Sequence, residues 1–241
     1  MLNPRKYIEH LQAVDPIRVN GKVTQVIGLT IESEGPEAAV GDVCFIYPLK
    51  AAQPIMAEVV GFRNNRVLLM PLGELHAISP GCDVVGTGKP LSIQVGHELL
   101  GKVLNGLGQP LDGKTLPARM AQYSTYAEPS NPLERPRITQ PISVGIRAID
   151  GLLTVGKGQR VGIFAGSGVG KSTLLGMIAR NTSADVNVIA LIGERGREVL
   201  DFLERDLGKE GLARSVVVAA TSDQPALIRM KGALIATTIA E

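Results

Sequence analysis

Residues Ala165-Gly-Ser-Gly-Val-Gly-Lys-Ser172 stand between two apolar segments, a context that few folds accommodate. The preceding Arg160-Val-Gly-Ile-Phe-Ala165 reads as a short buried strand, and Lys171-Ser-Thr-Leu-Leu-Gly-Met-Ile-Ala-Arg180 as the first turns of a helix. Between a strand and a helix, a glycine-rich loop turns its backbone N–H groups inward as an anion nest. Glycine makes this possible by adopting left-handed turns without steric penalty. The helix N-terminus adds partial positive charge where a β-phosphate rests. Gly166, Ser167, Gly168, Val169 and Gly170 form the expected nest, with Thr173 just inside the helix. Lys171 is suited to the β- and γ-phosphates and the Ser172 hydroxyl to Mg²⁺. The strict pattern opens on glycine where this chain has Ala165, a departure that leaves the nest intact. These residues imply a nucleoside triphosphate site.

A chain of 241 residues is long enough for one large or two modest domains with a buried core. A formal net charge of +2 gives no global bias toward nucleic acid or a membrane surface. The two cysteines, Cys44 and Cys82, lack metal-ligand spacing and read as small buried residues. His10, His76 and His97 have no partner spacing for a metal or a catalytic triad. There is no apolar signal core, and no apolar run approaches the ~20 residues that span a bilayer. Four Phe, four Tyr and no Trp argue against a base-stacking platform. A cytoplasmic protein without a nucleic-acid partner is the expectation.

Residues 1–90 read as an N-terminal helix followed by a β-barrel. Tyr7, Ile8, Leu11 and Val14 share one helical face, suited to capping a barrel end or docking a partner. The runs at 21–31, 42–47, 55–62 and 66–71 are short, apolar or alternating, and separated by Gly, Pro and Asn turns, which suits a small closed barrel. Asn64-Asn65 marks a hairpin. Residues 91–145 read as a connecting segment packed on the nucleotide domain. Its stretch from Pro117 to Pro141 holds five prolines and is expected to lie extended, without regular structure. From 146 to 241 the pattern turns to repeating βα units, with strands at 160–165, 186–192 and 215–220. Near-continuous Val/Ile runs indicate a parallel sheet buried on both faces. Ser222 or Asp223 is the expected N-cap of the last helix. Ligands of such sheets sit beyond the carboxyl ends of the strands.

At the end of the second of these strands stands Gly193-Glu-Arg-Gly-Arg-Glu198. Glu194 is the first carboxylate there and is placed to orient and polarise a water near a γ-phosphate. Arg195 and Arg197 can neutralise phosphate charge or brace the loop. Glu198 can hold a water on Mg²⁺.

Together with Gly145-Ile-Arg-Ala-Ile-Asp-Gly-Leu152 and Gly156-Lys-Gly-Gln-Arg160, the two motifs resemble the catalytic subunits of rotary ATPases. Within that superfamily, Gly162–Ile178 and Ala219-Ala-Thr-Ser-Asp-Gln-Pro225 are most similar to the flagellum-specific export ATPases, followed by the ATPases of virulence type III secretion. The resemblance spans nearly the whole chain. It implies α/β architecture with an N-terminal all-β barrel, then a RecA-like P-loop parallel-sheet domain that is incomplete at its C-terminus. It further implies ATP and Mg²⁺ as ligands, and catalytic roles for Lys171, Glu194 and Arg195. Non-catalytic synthase relatives lack glutamate at the position of Glu194, so its presence here favours turnover. The implied partners are a homohexameric ring, an export-apparatus regulator, stalk proteins and chaperone–substrate complexes. The implied location is cytoplasmic, peripheral at the inner-membrane export gate.

A phosphate-loop ATPase also needs a second acidic strand end to hold Mg²⁺ through its waters. No apolar run ending in Asp follows the loop before Glu241. The chain therefore reads as the N-terminal part of a longer protein, poorly active by itself. Two other readings stand beside an energy-coupling ATPase: a nucleotide-binding ring subunit without hydrolysis, and an RNA translocase, for which the barrel lacks a basic strip with interleaved aromatics.

Overall fold

Six strands carry the alternation that separates a filled barrel interior from solvent: β1 (Gly21–Ile27), β2 (Thr30–Glu34), β3 (Asp42–Tyr47), β4 (Ile55–Arg63), β5 (Arg66–Pro71) and β6 (Asp83–Pro90). In the computed structural model, which describes residues 19–49, 53–75, 77–117, 119–166 and 168–241, they close in the order β1-β2-β5-β4-β3-β6. Tyr7, Ile8, Leu11, Val14, His10, His76 and Ser167, with the expected N-terminal helix, lie outside the described residues. Val23, Ile31, Ile46, Ala57, Val59 and Leu69 fill the interior together with Cys44 and Cys82. Burial and the nearby Asp42 charge push the Cys44 thiol up to about 11. The run 21–31, read as one segment, is a hairpin that turns at Gly28 with φ +59°. Asn64 and Asn65, at φ +48° and +63°, make the tight β4–β5 turn.

The chain divides after Leu91 into two compact units. In the second, β10 (Asn187–Ile192) and β11 (Ser215–Ala220) run parallel, and β8 (Val103–Asn105) pairs with the other side of β11. All six residues of β11 are buried, as a central strand covered on both faces requires. The segment 91–145 thus contributes a strand to the parallel sheet, although a three-residue strand is too short to show periodicity. It also holds β7 (Ser92–Val95) paired with β9 (Ala121–Ser124), so the proline-rich stretch is not wholly irregular. That strand lies wholly between Pro117 and Pro129, where the backbone N–H groups are free for a ladder.

The expected strand at 160–165 does not form: residues 160–166 belong to no ladder, and Val161 and Phe164 are 56% and 96% exposed. An apolar run becomes a strand only when a neighbour accepts its hydrogen bonds, and among the described residues no strand pairs with this run.

Among the described residues, five α-helices and a π-helical turn follow in this unit: α1 (Arg147–Leu152), α2 (Lys171–Asn181), α3 (Gly196–Asp201), the π turn (Phe202–Leu207), α4 (Gly208–Ala213) and α5 (Ala226–Ala240). The single helix expected over 198–207 is therefore broken by the π turn. Its backbone lies against Gly176 of α2, where a Cβ would come 2.6 Å from the Asp206 carbonyl oxygen. No side chain caps α5, which begins after Pro225 rather than at Ser222 or Asp223. Proline sets the φ of the entry residue there, and Asp223 is instead held below the usual carboxylate range, chiefly by the Thr221 hydroxyl.

Two polar arrangements, the first buried and the second exposed, brace this unit. Lys231 on α5 is fully buried, donates to the Tyr126 hydroxyl at 2.7 Å, and sits 4.6 Å from the centre of that ring. Asp150 accepts hydrogen bonds from the Ser143 hydroxyl and the Val144 and Gly145 N–H groups, at 2.7, 2.9 and 3.0 Å. The Ser143 carbonyl in turn receives the Thr182 hydroxyl at the C-terminal end of α2.

Candidate phosphate-binding site

The phosphate loop obtains its shape from two glycines in the left-handed region, Gly168 at φ +76° and Gly170 at φ +91°. Gly170 is the N-cap of α2, and its carbonyl accepts the Leu174 N–H at 2.9 Å. No side chain occupies the first N–H groups of α2. They remain available to an anion at the positive end of the helix.

Facing this loop is the turn that leaves β10. Gly193 takes φ +76°, its N–H donates to the Ala220 carbonyl at 2.7 Å, and the Glu194 carbonyl receives the Ser222 N–H at 3.0 Å. The exits of β10 and β11 are thereby pinned to each other one residue past the ladder, which ends at Ile192 opposite Ala220.

A cleft of about 450 Å³ opens between the loop and the turn, and Gly166, Lys171, Ser172, Thr173, Glu194 and Glu198 are among its lining residues. Lys171 Nζ lies 3.7 Å from Glu194 Oε1. An adjoining cavity of about 240 Å³ shares Lys171, Ser172, Glu194 and Glu198 with the cleft and adds an apolar wall of Ile163, Leu175, Leu191, Val199 and Phe202.

The structure therefore gathers Gly166, Gly168, Gly170, Lys171, Ser172, Thr173, Glu194 and Glu198 around one cleft. Val169 is 67% exposed and outside the lining. Arg195 points its guanidinium to Glu198 Oε1 at 3.7 Å, one helical turn on, instead of into the cleft. Arg229 of α5, which no motif in the sequence marks, lies beside the Gly193 turn.

The donor set fits a magnesium nucleotide. The backbone nest and Lys171 suit a polyphosphate, while the Ser172 hydroxyl and two carboxylates supply the oxygen ligands that a small hard cation and its waters prefer.

Comparison with known proteins matches residues 145–241 to the nucleotide-binding domain of the ATP synthase alpha/beta family and residues 23–88 to the beta-barrel domain of the same family. The whole chain is 56% identical to 55% of the flagellum-specific ATP synthase of Bacillus subtilis strain 168. It is 49% identical to the type 3 secretion system ATPase of Xanthomonas euvesicatoria, over 92% of this chain and 50% of that protein. Among solved structures, the assembled ATPase EscN in complex with its central stalk EscO, from enteropathogenic E. coli, superposes with a TM-score of 0.82 at 46% identity, covering 91% of this chain and 53% of that one. The chain spans about half the length of the curated relatives it matches.

Proposed function

The chain belongs to the ATP synthase alpha/beta family, and from that premise we propose that it forms the phosphate-binding part of an ATPase that energises protein export through the flagellar type III apparatus. The observation that carries this reading is the opposition of Lys171 and Glu194, 3.7 Å apart across the cleft at the start of α2 and the exit of β10. Binding and hydrolysis need these two charges on opposite sides of the γ-phosphate.

Each residue then has a task. The backbone N–H groups of Gly166 to Gly170 and the first turn of α2 hold the β- and γ-phosphates, and Thr173 adds a hydroxyl at the rim. Lys171 leaves Glu194 for the phosphate oxygens. Ser172 contributes its hydroxyl to Mg²⁺, with Glu198 reaching the cation through water. Bound Mg²⁺ supplies charge neutralisation on the phosphate oxygens. Glu194, released from Lys171, accepts a hydrogen bond from the attacking water and orients it in line with the γ-phosphorus. Arg195 swings from Glu198 toward the developing negative charge.

By analogy with the assembled EscN and its stalk EscO, the working form is a homohexameric ring around a stalk. A regulator and chaperone–substrate complexes are its further partners, at the cytoplasmic face of the inner membrane. No helix among the described residues is long and apolar enough to cross a membrane. Higher identity to the flagellar than to the virulence relative favours the flagellar apparatus.

The test is Mg²⁺-dependent ATP hydrolysis by the purified full-length protein, followed by deletion of its gene. Turnover that Glu194→Gln abolishes, with loss of flagella in the deletion strain, is the expected result. Nucleotide binding without turnover would instead assign a non-hydrolysing ring subunit.

A further inference from the structure

The Glu194 carbonyl accepts the Ser222 N–H just past β11, yet a turn that must present a carboxylate accurately needs bracing on its open side as well. That side faces α5. Gly232 brings the helix close to the sheet: a Cβ there would lie 3.0 Å from Ile192 Cδ1 and 3.2 Å from Ala220 Cβ, at the last residues of β10 and β11. Ile228 makes a similarly close approach to Gly106 at the end of β8. Arg229, three residues before Gly232 and so on the same side of the helix, projects beyond the strand ends.

Among the described residues other than its chain neighbours, Arg229 Nη1 is the heavy atom that comes within 4.0 Å of the point where a Cβ on Gly193 would stand. Its Nε is buried and has no hydrogen-bond partner among the described residues. A guanidinium with an unused buried donor is held there by packing rather than by an ion pair, and it bears on the residue immediately before Glu194.

We propose that Arg229 is a positioning residue for hydrolysis: it backs the Gly193 turn and thereby sets where the Glu194 carboxylate stands in the cleft. The inference rests on the reading of Glu194 as the water-orienting group. Gly193 stands in the left-handed region beside the guanidinium, and Glu194, the next residue, lines the cleft. Lys171 and the glycine nest are carried by a different element, α2. Loss of Arg229 therefore disturbs the hydrolytic carboxylate and spares nucleotide affinity.

The experiment uses the full-length protein carrying Arg229→Ala, Arg229→Gln or Arg229→Lys. It measures binding of a fluorescent ATP analogue with Mg²⁺, steady-state ATPase constants and thermal unfolding. The expected result is a kcat reduced about tenfold or more by Ala and Gln, Kd for the nucleotide within about threefold of wild type, and partial recovery of kcat by Lys, whose ammonium keeps the charge but not the planar fork. Three results would overturn the inference. One is Ala and Gln variants with kcat within threefold of wild type. Another is parallel loss of binding, turnover and melting temperature in Ala and Gln alike. The third is a Lys variant as slow as Ala. An inactive wild-type protein would overturn the hydrolase reading itself, which an active wild type with an equally active Arg229→Ala would leave standing.

Discussion

Lys171 Nζ and Glu194 Oε1 face each other at 3.7 Å, one from the first residue of α2 and the other from the turn after β10, with their side chains 51% and 34% exposed. At that distance and exposure the pair contributes only a few tenths of a kcal/mol, up to about 1. A triphosphate with several negative oxygens outcompetes a single carboxylate for the ammonium. In the proposed reading this frees Glu194 to orient the attacking water.

Exchanging that carboxylate for an amide separates the two roles. Glu194→Gln in the full-length protein is expected to keep nucleotide affinity while kcat falls by about 10²–10⁴, the usual contribution of a general base. Lys171→Ala is expected to weaken affinity as well. Equilibrium binding and single-turnover hydrolysis, measured side by side, distinguish the two.

Gly176→Ala reverses the usual effect of alanine in a helix. Intrinsic propensity favours alanine by ~1 kcal/mol, but the new methyl would stand 2.6 Å from the Asp206 carbonyl oxygen and 2.7 Å from Asp206 Cβ. Overpacking against backbone costs about 1–3 kcal/mol. Net destabilisation by urea unfolding is the expected outcome, and a stabilised variant would mean that α2 and the π turn are not packed as described.

Tyr126→Phe keeps the ring over Lys231 but removes the hydroxyl that receives its ammonium at 2.7 Å. A hydrogen bond to a buried charge contributes about 1.5–3 kcal/mol, a large effect for a tyrosine that is 50% exposed. Chemical denaturation of the wild-type and variant proteins checks it.

Asp150 makes stability depend on pH. Hydrogen bonds, first from the Ser143 hydroxyl and then from the Val144 N–H, hold its carboxyl below the ordinary 3.8. A carboxyl depressed in the folded state stabilises above its unfolded pKa, and that contribution disappears as the pH falls through the folded value. The melting-temperature gap between wild type and Asp150→Asn is therefore expected to be open at neutral pH and to close below about pH 4. A gap that persists at acid pH would assign the loss to geometry rather than charge.

Local pattern made the barrel and the helix after Lys171 legible, because alternation, the Asn64-Asn65 turn and the glycine-to-helix transition are each written in adjacent residues. The approach of the Gly193 turn to the phosphate loop was legible from the repeating βα pattern, although the strand at 160–165 expected to carry the loop to that edge does not form. The parts that escaped depend on distant partners. β8 joins the sheet through Val217 and Val218 rather than through any pattern of its own. The apolar run at 160–165 reads as a strand, yet no described neighbour accepts its hydrogen bonds. The π turn answers to Gly176, and Arg229 to Gly193, pairs separated by some thirty residues in each case.

The left-handed backbones at Gly168 and Gly170 mean that the anion cradle is assembled from peptide groups that any residue possesses. Side chains there contribute nothing to recognition, yet a side chain at either glycine would strain the turn that aims the N–H groups. Inheritance of this site is therefore lopsided: its greatest vulnerability to single-codon change lies at residues that carry no reactive group at all.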